Sequence, residues 1–405
     1  MSSFEKPQII PHLEVDVDFT LFNCLWIPSS TRFVALGSKV SGEGILQVYS
    51  MSQGKLDRLS TATFAKALKC GCFGASALED RFLATGDFGG HLQLIDLEQP
   101  DKPVLTMRAH EDLVNTIDGI GGLGIGQGAP EIATGSRDGS AKVWDTRVPD
   151  RPVASIVANQ YEVKRDCWSV AFGNAHSNSD RILASGYDNG DIKLFDLRKM
   201  SILWETQVPN GVCSLEFDRK DIQMNKLMAC GLGGRVHLWD LATFNKKSGF
   251  AECDQKLDKA TLWQVSHLPQ NRDVAMVCAG NGSLHLLNYH YPEKRSNETK
   301  DDGMIGVIGR LETLQDFQLS EQPVCSFNWS PDKIGLGLCA AFDQKIRTVL
   351  SIIMNSASRV GAIFSQAGES YSKLGDMVMQ LHPVAKDLPP TLDQSNGIGK
   401  PAQVR

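Results

Sequence analysis

One short stretch of this chain is written several times over. Ala133-Thr134-Gly135-Ser136-Arg137-Asp138-Gly139-Ser140-Ala141-Lys142-Val143-Trp144-Asp145 has a near copy in Ala184-Ser185-Gly186-Tyr187-Asp188-Asn189-Gly190-Asp191-Ile192-Lys193-Leu194-Phe195-Asp196. Further copies end at Asp96 and Asp240, and weaker ones at Ser50, Asn288 and Leu350. Successive ends lie 46, 49, 51, 44, 48 and 62 residues apart. A period of that size means a repeat architecture in which one supersecondary unit recurs seven times.

Each copy reads as two strands and a tight turn. Apolar residues precede the glycine, Asp-Gly or Asn-Gly supplies the positive backbone angles of a hairpin, and Ala141-Lys142-Val143-Trp144 alternates with period two. One such sheet cannot bury both of its faces, so the units must stack radially around a channel. This is the signature of WD repeats. The expected fold is all-β, a seven-bladed WD40 β-propeller over residues 1–353. The best-preserved copy holds His110, Thr134 (or Ser136), Asp138 and Trp144, which can form the hydrogen-bonded tetrad that resembling propellers use to lock a blade. Gly89 and Gly233 stand where Asp138 stands, so the other blades are expected to rely more on packing. No fourth strand follows the last repeat, and residues 1–20 are expected to supply it, with Pro7 and Pro11 tolerated on an outermost edge.

Composition excludes several classes. No run of 18 or more apolar residues is present and the first six residues do not read as a signal peptide, so neither membrane nor secretion is expected and the protein is read as cytoplasmic. Ten cysteines without a C-x-x-C pair, and nine scattered histidines, predict no metal and no cofactor. A net charge of −6 argues against nucleic acid. The sequons at Asn281, Asn297 and Asn328 are read as chance matches.

Gly119-Ile120-Gly121-Gly122-Leu123-Gly124 mimics a dinucleotide fingerprint, but it lies between the first two strands of the third blade with no helix after it. It is read as a glycine-rich loop. With no nucleophile elbow, H-E-x-x-H or carboxylate pair, no enzyme is expected. What remains is an interaction scaffold, expected as a monomer. Phe88, Arg137, Tyr187 and Arg235, in strand-connecting loops, are of types enriched at binding hot spots and are the candidate partner-binding residues. The charged insertion at 290–303 is expected to be a solvated loop.

Resemblance adds to this. The stretches at 1–10, 84–90 (Ala84-Thr85-Gly86-Asp87-Phe88-Gly89-Gly90), 117–126, 165–168 (Arg165-Asp166-Cys167-Trp168), 186–198 and 210–221 resemble the Monad-type family of WD-repeat proteins, which are dynein axonemal assembly factors. The similarity runs from residue 1 to about 350, between the repeats as well as within them. It implies a cytosolic adaptor linked to the heat-shock protein 90 co-chaperone system, with RuvB-like ATPases, a TPR-containing adaptor and prefoldin-like subunits as partners. The implied clients are axonemal dynein heavy chains, in the service of cilium assembly, and an apoptosis-related role is attached to the family. A rival reading is a substrate receptor of a cullin-RING ubiquitin ligase, because Trp144-Asp145-Thr146-Arg147 and Phe195-Asp196-Leu197-Arg198 resemble the W-D-x-R element that docks the ligase adaptor.

The tail departs from that family. Residues 354–384 are similar to the N-terminal segment of the BPTF-associated chromatin-complex subunit. Val360, Ile363, Phe364, Ala367, Tyr371, Leu374, Met377, Val378 and Leu381 recur at three- and four-residue steps, which predicts an amphipathic helix capped by Ser356 and ended before Pro383. Phe364, Tyr371, Leu374 and Leu381 form its apolar stripe. Residues 385–405 are expected to be disordered. Met354 looks like an initiator methionine, so the junction is read as a read-through transcript or fused gene model, with a bifunctional chain as the alternative.

Overall fold

The computed structural model describes residues 7–353, apart from 123–127, 158–162, 178 and 300–302. The predicted tail helix and disordered end therefore lie outside the described residues. Seven four-stranded antiparallel sheets make a β-propeller. Five blades are built from consecutive strands, 20–64, 68–108, 114–156, 167–207 and 212–256, and the sixth, 262–318, has a two-stranded hairpin inserted before its outermost strand. The third strand of each carries the repeat end.

The seventh blade is assembled from both ends of the described chain. Strands Val324–Trp329, Leu336–Ala341 and Lys345–Ile352 supply three positions, and Gln8–Asp16 pairs antiparallel with the last of them as the outermost strand. The register runs from Gln8↔Ile352 to Asp16↔Lys345. Proline is tolerated there because an edge strand leaves one row of amides unpaired.

The core is a ring of layers between blades. Phe172 of blade 4 packs with Ala133, Val143 and Ile156 of blade 3; Phe217 and Trp239 of blade 5 pack with Ile182, Leu194 and Val208 of blade 4; Phe19 and Phe33 of blade 1 pack with Leu338 and Ile346 of blade 7. Each buried aromatic contributes roughly 2–3 kcal/mol of burial, so every blade is stabilised by its neighbours. Polar side chains lace the innermost strands together. Asn328 accepts from the Trp26 amide at 2.9 Å, Asp118 from Phe172 at 2.8 Å and Ser169 from Leu215 at 2.8 Å.

The G-x-G-x-x-G stretch has a packing role. The backbones of Gly119 and Gly122 lie against 74–76 of blade 2, and the Gly122 amide donates to the Gly74 carbonyl at 3.0 Å. A Cβ on Gly122 would stand 2.1 Å from the Ser76 carbonyl oxygen. These glycines allow two loops to touch.

The charged insertion corrects an expectation. Its charge pattern predicts a solvated loop, yet strands Ser296–Thr299 and Gly303–Gly306 form a hairpin. Its Arg295 grips Asp240 of blade 5, whose side chain is fully buried. The ion pair, with the Asn245 side-chain amide donating to the Met304 carbonyl at 2.9 Å, ties the insertion to the blade.

Candidate protein-interaction surface

The four predicted tetrad residues meet in blade 3. The Trp144 indole N–H donates to Thr134 Oγ1 at 2.9 Å, and Thr134 Oγ1 lies 2.7 Å from His110 Nε2. His110 Nδ1 is 2.9 Å from Asp138 Oδ2. Because the Asp138 carboxylate can only accept, the neutral ring carries its proton on Nδ1, and Nε2 then accepts from the Thr134 hydroxyl. Burial holds the His110 pKa below its usual value against the opposing pull of Asp138, in keeping with a neutral ring. Burial alone would raise the Asp138 carboxyl, but hydrogen bonds from His110 and Ser140 outweigh it and leave it well below the carboxylate range.

Blade 5 has no such tetrad. Its Trp239 indole donates to Glu252 of the outermost strand at 2.5 Å. Arg295 Nε donates to Asp240 Oδ2 at 2.9 Å. Lys226, only 1 % exposed, lies 2.7 Å from Asp273, 3.6 Å from Asp218 and 2.6 Å from the Tyr291 hydroxyl. Blades that lack the aspartate, expected to rely more on packing, also carry polar networks of their own. In blade 2, Asp87 substitutes by accepting from the amides of Gly89 and His91, both at 2.8 Å.

The four candidate partner-binding residues separate. Phe88 is 41 % exposed and stacks on Phe22 with centroids 5.5 Å apart. Arg137 is exposed but paired with Asp112 at 2.9 Å, and Arg235 is exposed and paired with Asp254. Tyr187 is a correction: it is buried, packed with Phe172 and Phe195 between blades 3 and 4, and its hydroxyl accepts from Ser185 at 3.3 Å. At the end of a blade strand the neighbouring blade covers the face that a lone sheet would expose.

Sequence reading missed the most regular feature of the surface. In all seven innermost strands the register slips at one equivalent position, leaving Phe22, Lys69, Asn115, Trp168, Cys213, Trp263 and Cys325 as the extra residues. Such a bulge re-aims a side chain. These seven gather at one mouth of the channel. Lys69 Nζ sits 4.8 Å above the Phe22 ring, and its charge reaches thiols on blades 5 and 7: burial pushes Cys213 and Cys325 up to about 12, with Lys69 pulling the other way. In five blades the residue after the second strand, Phe88, Arg137, Asp188, Leu232 or Phe342, donates its amide to the residue just before the first strand of the same blade, and so extends the ladder to that end. The sequence signal was a broken alternation, as in Leu262-Trp263-Gln264-Val265.

Among the described residues no cluster of three or more His, Cys, Asp or Glu side chains is placed to hold a metal, and no helix is long and apolar enough to cross a membrane. A family profile described as WD domain, G-beta repeat matches residues 101–145, and one described as BACC1 N-terminal domain matches 354–382. The WD40 propeller domain of Doa1 superposes with a TM-score of 0.61 at 14 % identity, covering 84 % of this chain and 96 % of that one, which shows the fold alone. Proteins called dynein axonemal assembly factor 10 match far more closely. The Xenopus tropicalis protein is 54 % identical over 87 % of this chain and 99 % of its own length. The Homo sapiens protein is 52 % identical over 88 % and 99 %, and the Chlamydomonas reinhardtii protein 48 % over 86 % and 98 %. With identity at that level across nearly the whole of each relative, the chain belongs to the dynein axonemal assembly factor 10 family.

Proposed function

We propose that this chain is a non-enzymatic adaptor in the cytoplasmic pre-assembly and stability of axonemal dyneins. The observation that carries the reading is the end-to-end match to relatives bearing that name, whose lengths are used almost completely by the propeller region. A rigid disc with a different surface on each blade suits the task of holding partners at fixed angles. In this reading the propeller works as a monomer with RuvB-like ATPases, a TPR-containing adaptor and prefoldin-like subunits, and its clients are dynein heavy chains. Residues 354–384 are proposed to be dispensable for it.

The test is affinity purification of the full chain from ciliated cells, together with electron microscopy of axonemes after knockout. The reading expects RuvB-like and prefoldin-like subunits in the eluate and missing dynein arms in the axoneme. Recovery of a cullin and its adaptor in place of the co-chaperones, or normal arms in a complete knockout, would overturn it. For the ligase reading, Arg147 of the W-D-x-R element is engaged by Asp145 through bonds of 3.0 and 2.8 Å.

A further inference from the structure

We propose that the cleft at the rim between blades 2 and 3 docks an acidic segment of a partner protein, whose carboxylate is held between Arg108 and Lys142 while a neighbouring apolar side chain lies against Met107. The proposal goes beyond the adaptor reading, which names partners and no surface for them, and it holds or fails separately.

The cleft exists because blade 3 has a shorter edge than its neighbours. Its outermost strand, Ala154–Ile156, has three residues and pairs only with 141–143, whereas the outermost strand of blade 4 has seven residues and that of blade 5 eight. Pro149 and Pro152 stand in the connection that precedes it, and neither can donate an amide to lengthen the ladder. Trp144 is left with no outer strand beside it. A cavity of about 490 Å3 therefore opens between this connection and the outermost strand of blade 2, Leu105–Arg108. Its walls are fixed: Met107 packs on the core that holds Trp144 and Ala109, and Lys142 of blade 3 donates across the cleft to the Ala109 carbonyl at 2.8 Å.

The charge lining the cavity is unmatched. Arg108 is exposed and donates its Nε to the His110 carbonyl at 3.4 Å, and among the described residues neither it nor Lys142 has an acid within ion-pair distance. The nearby acids are engaged elsewhere, Asp112 by Arg137, Asp138 by His110 and Asp145 by Arg147. Asp150 is the one acid in the lining. The next cleft round the ring, between blades 3 and 4, differs: it is about 210 Å3, and its Arg181 is already paired with Glu131. Two cations facing one acid, on a chain of net charge −6, make an anionic partner the complement of this site. The volume lies in the range of roughly 300–1,000 Å3 typical of ligand pockets, more than a lone carboxylate fills. The Met107 thioether and the two prolines give the rest of a segment an apolar wall.

A random peptide library displayed on phage, depleted on the Arg108→Glu variant of the full chain and then selected on the parent, tests this directly, because only peptides that need the cleft survive. Survivors are expected to carry Asp or Glu beside an aliphatic or aromatic residue. Labelled and measured by fluorescence anisotropy, they should bind Arg108→Glu about tenfold more weakly or worse, the loss of a charge-assisted hydrogen bond. They should bind Asp150→Asn more tightly. Arg108 and Asp150 are exposed, so these two variants keep the fold even where Lys142→Met, which removes a bond between blades, does not; thermal unfolding checks each. An empty selection, survivors without an acid, or weaker binding to Asp150→Asn would overturn the proposal. So would tight binding of inorganic phosphate with the same dependence on Arg108, since the occupant would then be a free anion, or concentration-dependent dimerisation that Arg108→Glu abolishes, since it would then be a second copy of the chain.

Discussion

Blade 3 and blade 5 end in the same Trp-Asp pair and stabilise it by opposite means. In blade 3, Trp144 is tied through Thr134 and His110 to Asp138, all within 35 residues of chain, and Asp145 is left to an arginine two residues away that is 65 % exposed. In blade 5 the turn aspartate is replaced by Gly233, Trp239 turns outward to Glu252, and Asp240 is sealed in and neutralised by Arg295 from 55 residues downstream. Blade 3 closes its polar network within one repeat. Blade 5 borrows its partner from the next repeat. The insertion of blade 6 is therefore a structural part of blade 5, which explains why 62 residues separate the last two repeat ends.

The contrast can be broken most forcefully at Arg295. Arg295→Met leaves a fully buried carboxylate without its partner, and should cost about 3 kcal/mol, the lower end for a broken buried pair because the arginine is a third exposed. Equilibrium urea unfolding reads this, and a loss below about 1 kcal/mol would mean that the hairpin merely rests on the blade. His110→Ala should come next, at about 2 kcal/mol, since it removes the buried link between the Thr134 hydroxyl and the Asp138 carboxylate and takes one hydrogen bond from each.

Acid should act on blade 3 in a defined order. His110 has its folded pKa lowered, so the unfolded chain binds the proton first and stability declines as pH drops below about 6.5. Asp138 has its folded pKa depressed, so its contribution is complete above about 3.9 and is lost as pH falls through the lower folded value. Unfolding midpoints measured from pH 8 to 4 should fall less steeply in His110→Gln than in the parent; equal slopes would remove His110 from the account. The smallest effect should be at Arg147→Ala, within about 0.5 kcal/mol, because an exposed ion pair contributes little. A loss matching that of Arg295 would erase the distinction between the two blades.

What could be read from the chain follows the same division. The tetrad was legible because its members fall within one repeat, and the blade count because a two-residue turn ending in glycine, Gly89-Gly90, Asp138-Gly139, Asn189-Gly190, Gly233-Gly234 and Asn281-Gly282, marks five of the seven copies. The grip of Arg295 was not, since Asp240 and Asn225, the residues it binds, lie 55 and 70 positions away and nothing in a run such as Glu293-Lys294-Arg295 distinguishes a solvated charge from a buried one. Tyr187 was misjudged for a related reason: alternation tells which face of a strand a residue takes, but not that another blade lies against that face. The ring at the channel mouth was visible as seven interrupted alternations, yet each is a single skipped residue and only superposition of the blades gives it meaning.

The shared seventh blade sets a timetable. Leu13 hydrogen-bonds Thr348, and Glu14 pairs with Lys345, across 335 and 331 residues of chain. At common rates of synthesis the earliest strand waits on the order of 20–70 s for its mate to be made. Until then Gln8–Asp16 is an unpaired edge able to accept any strand offered to it. The finished disc has no such edge inside its ring, so its most vulnerable moment comes before completion, and substitutions at 8–16 will be felt first as a lower yield of folded protein.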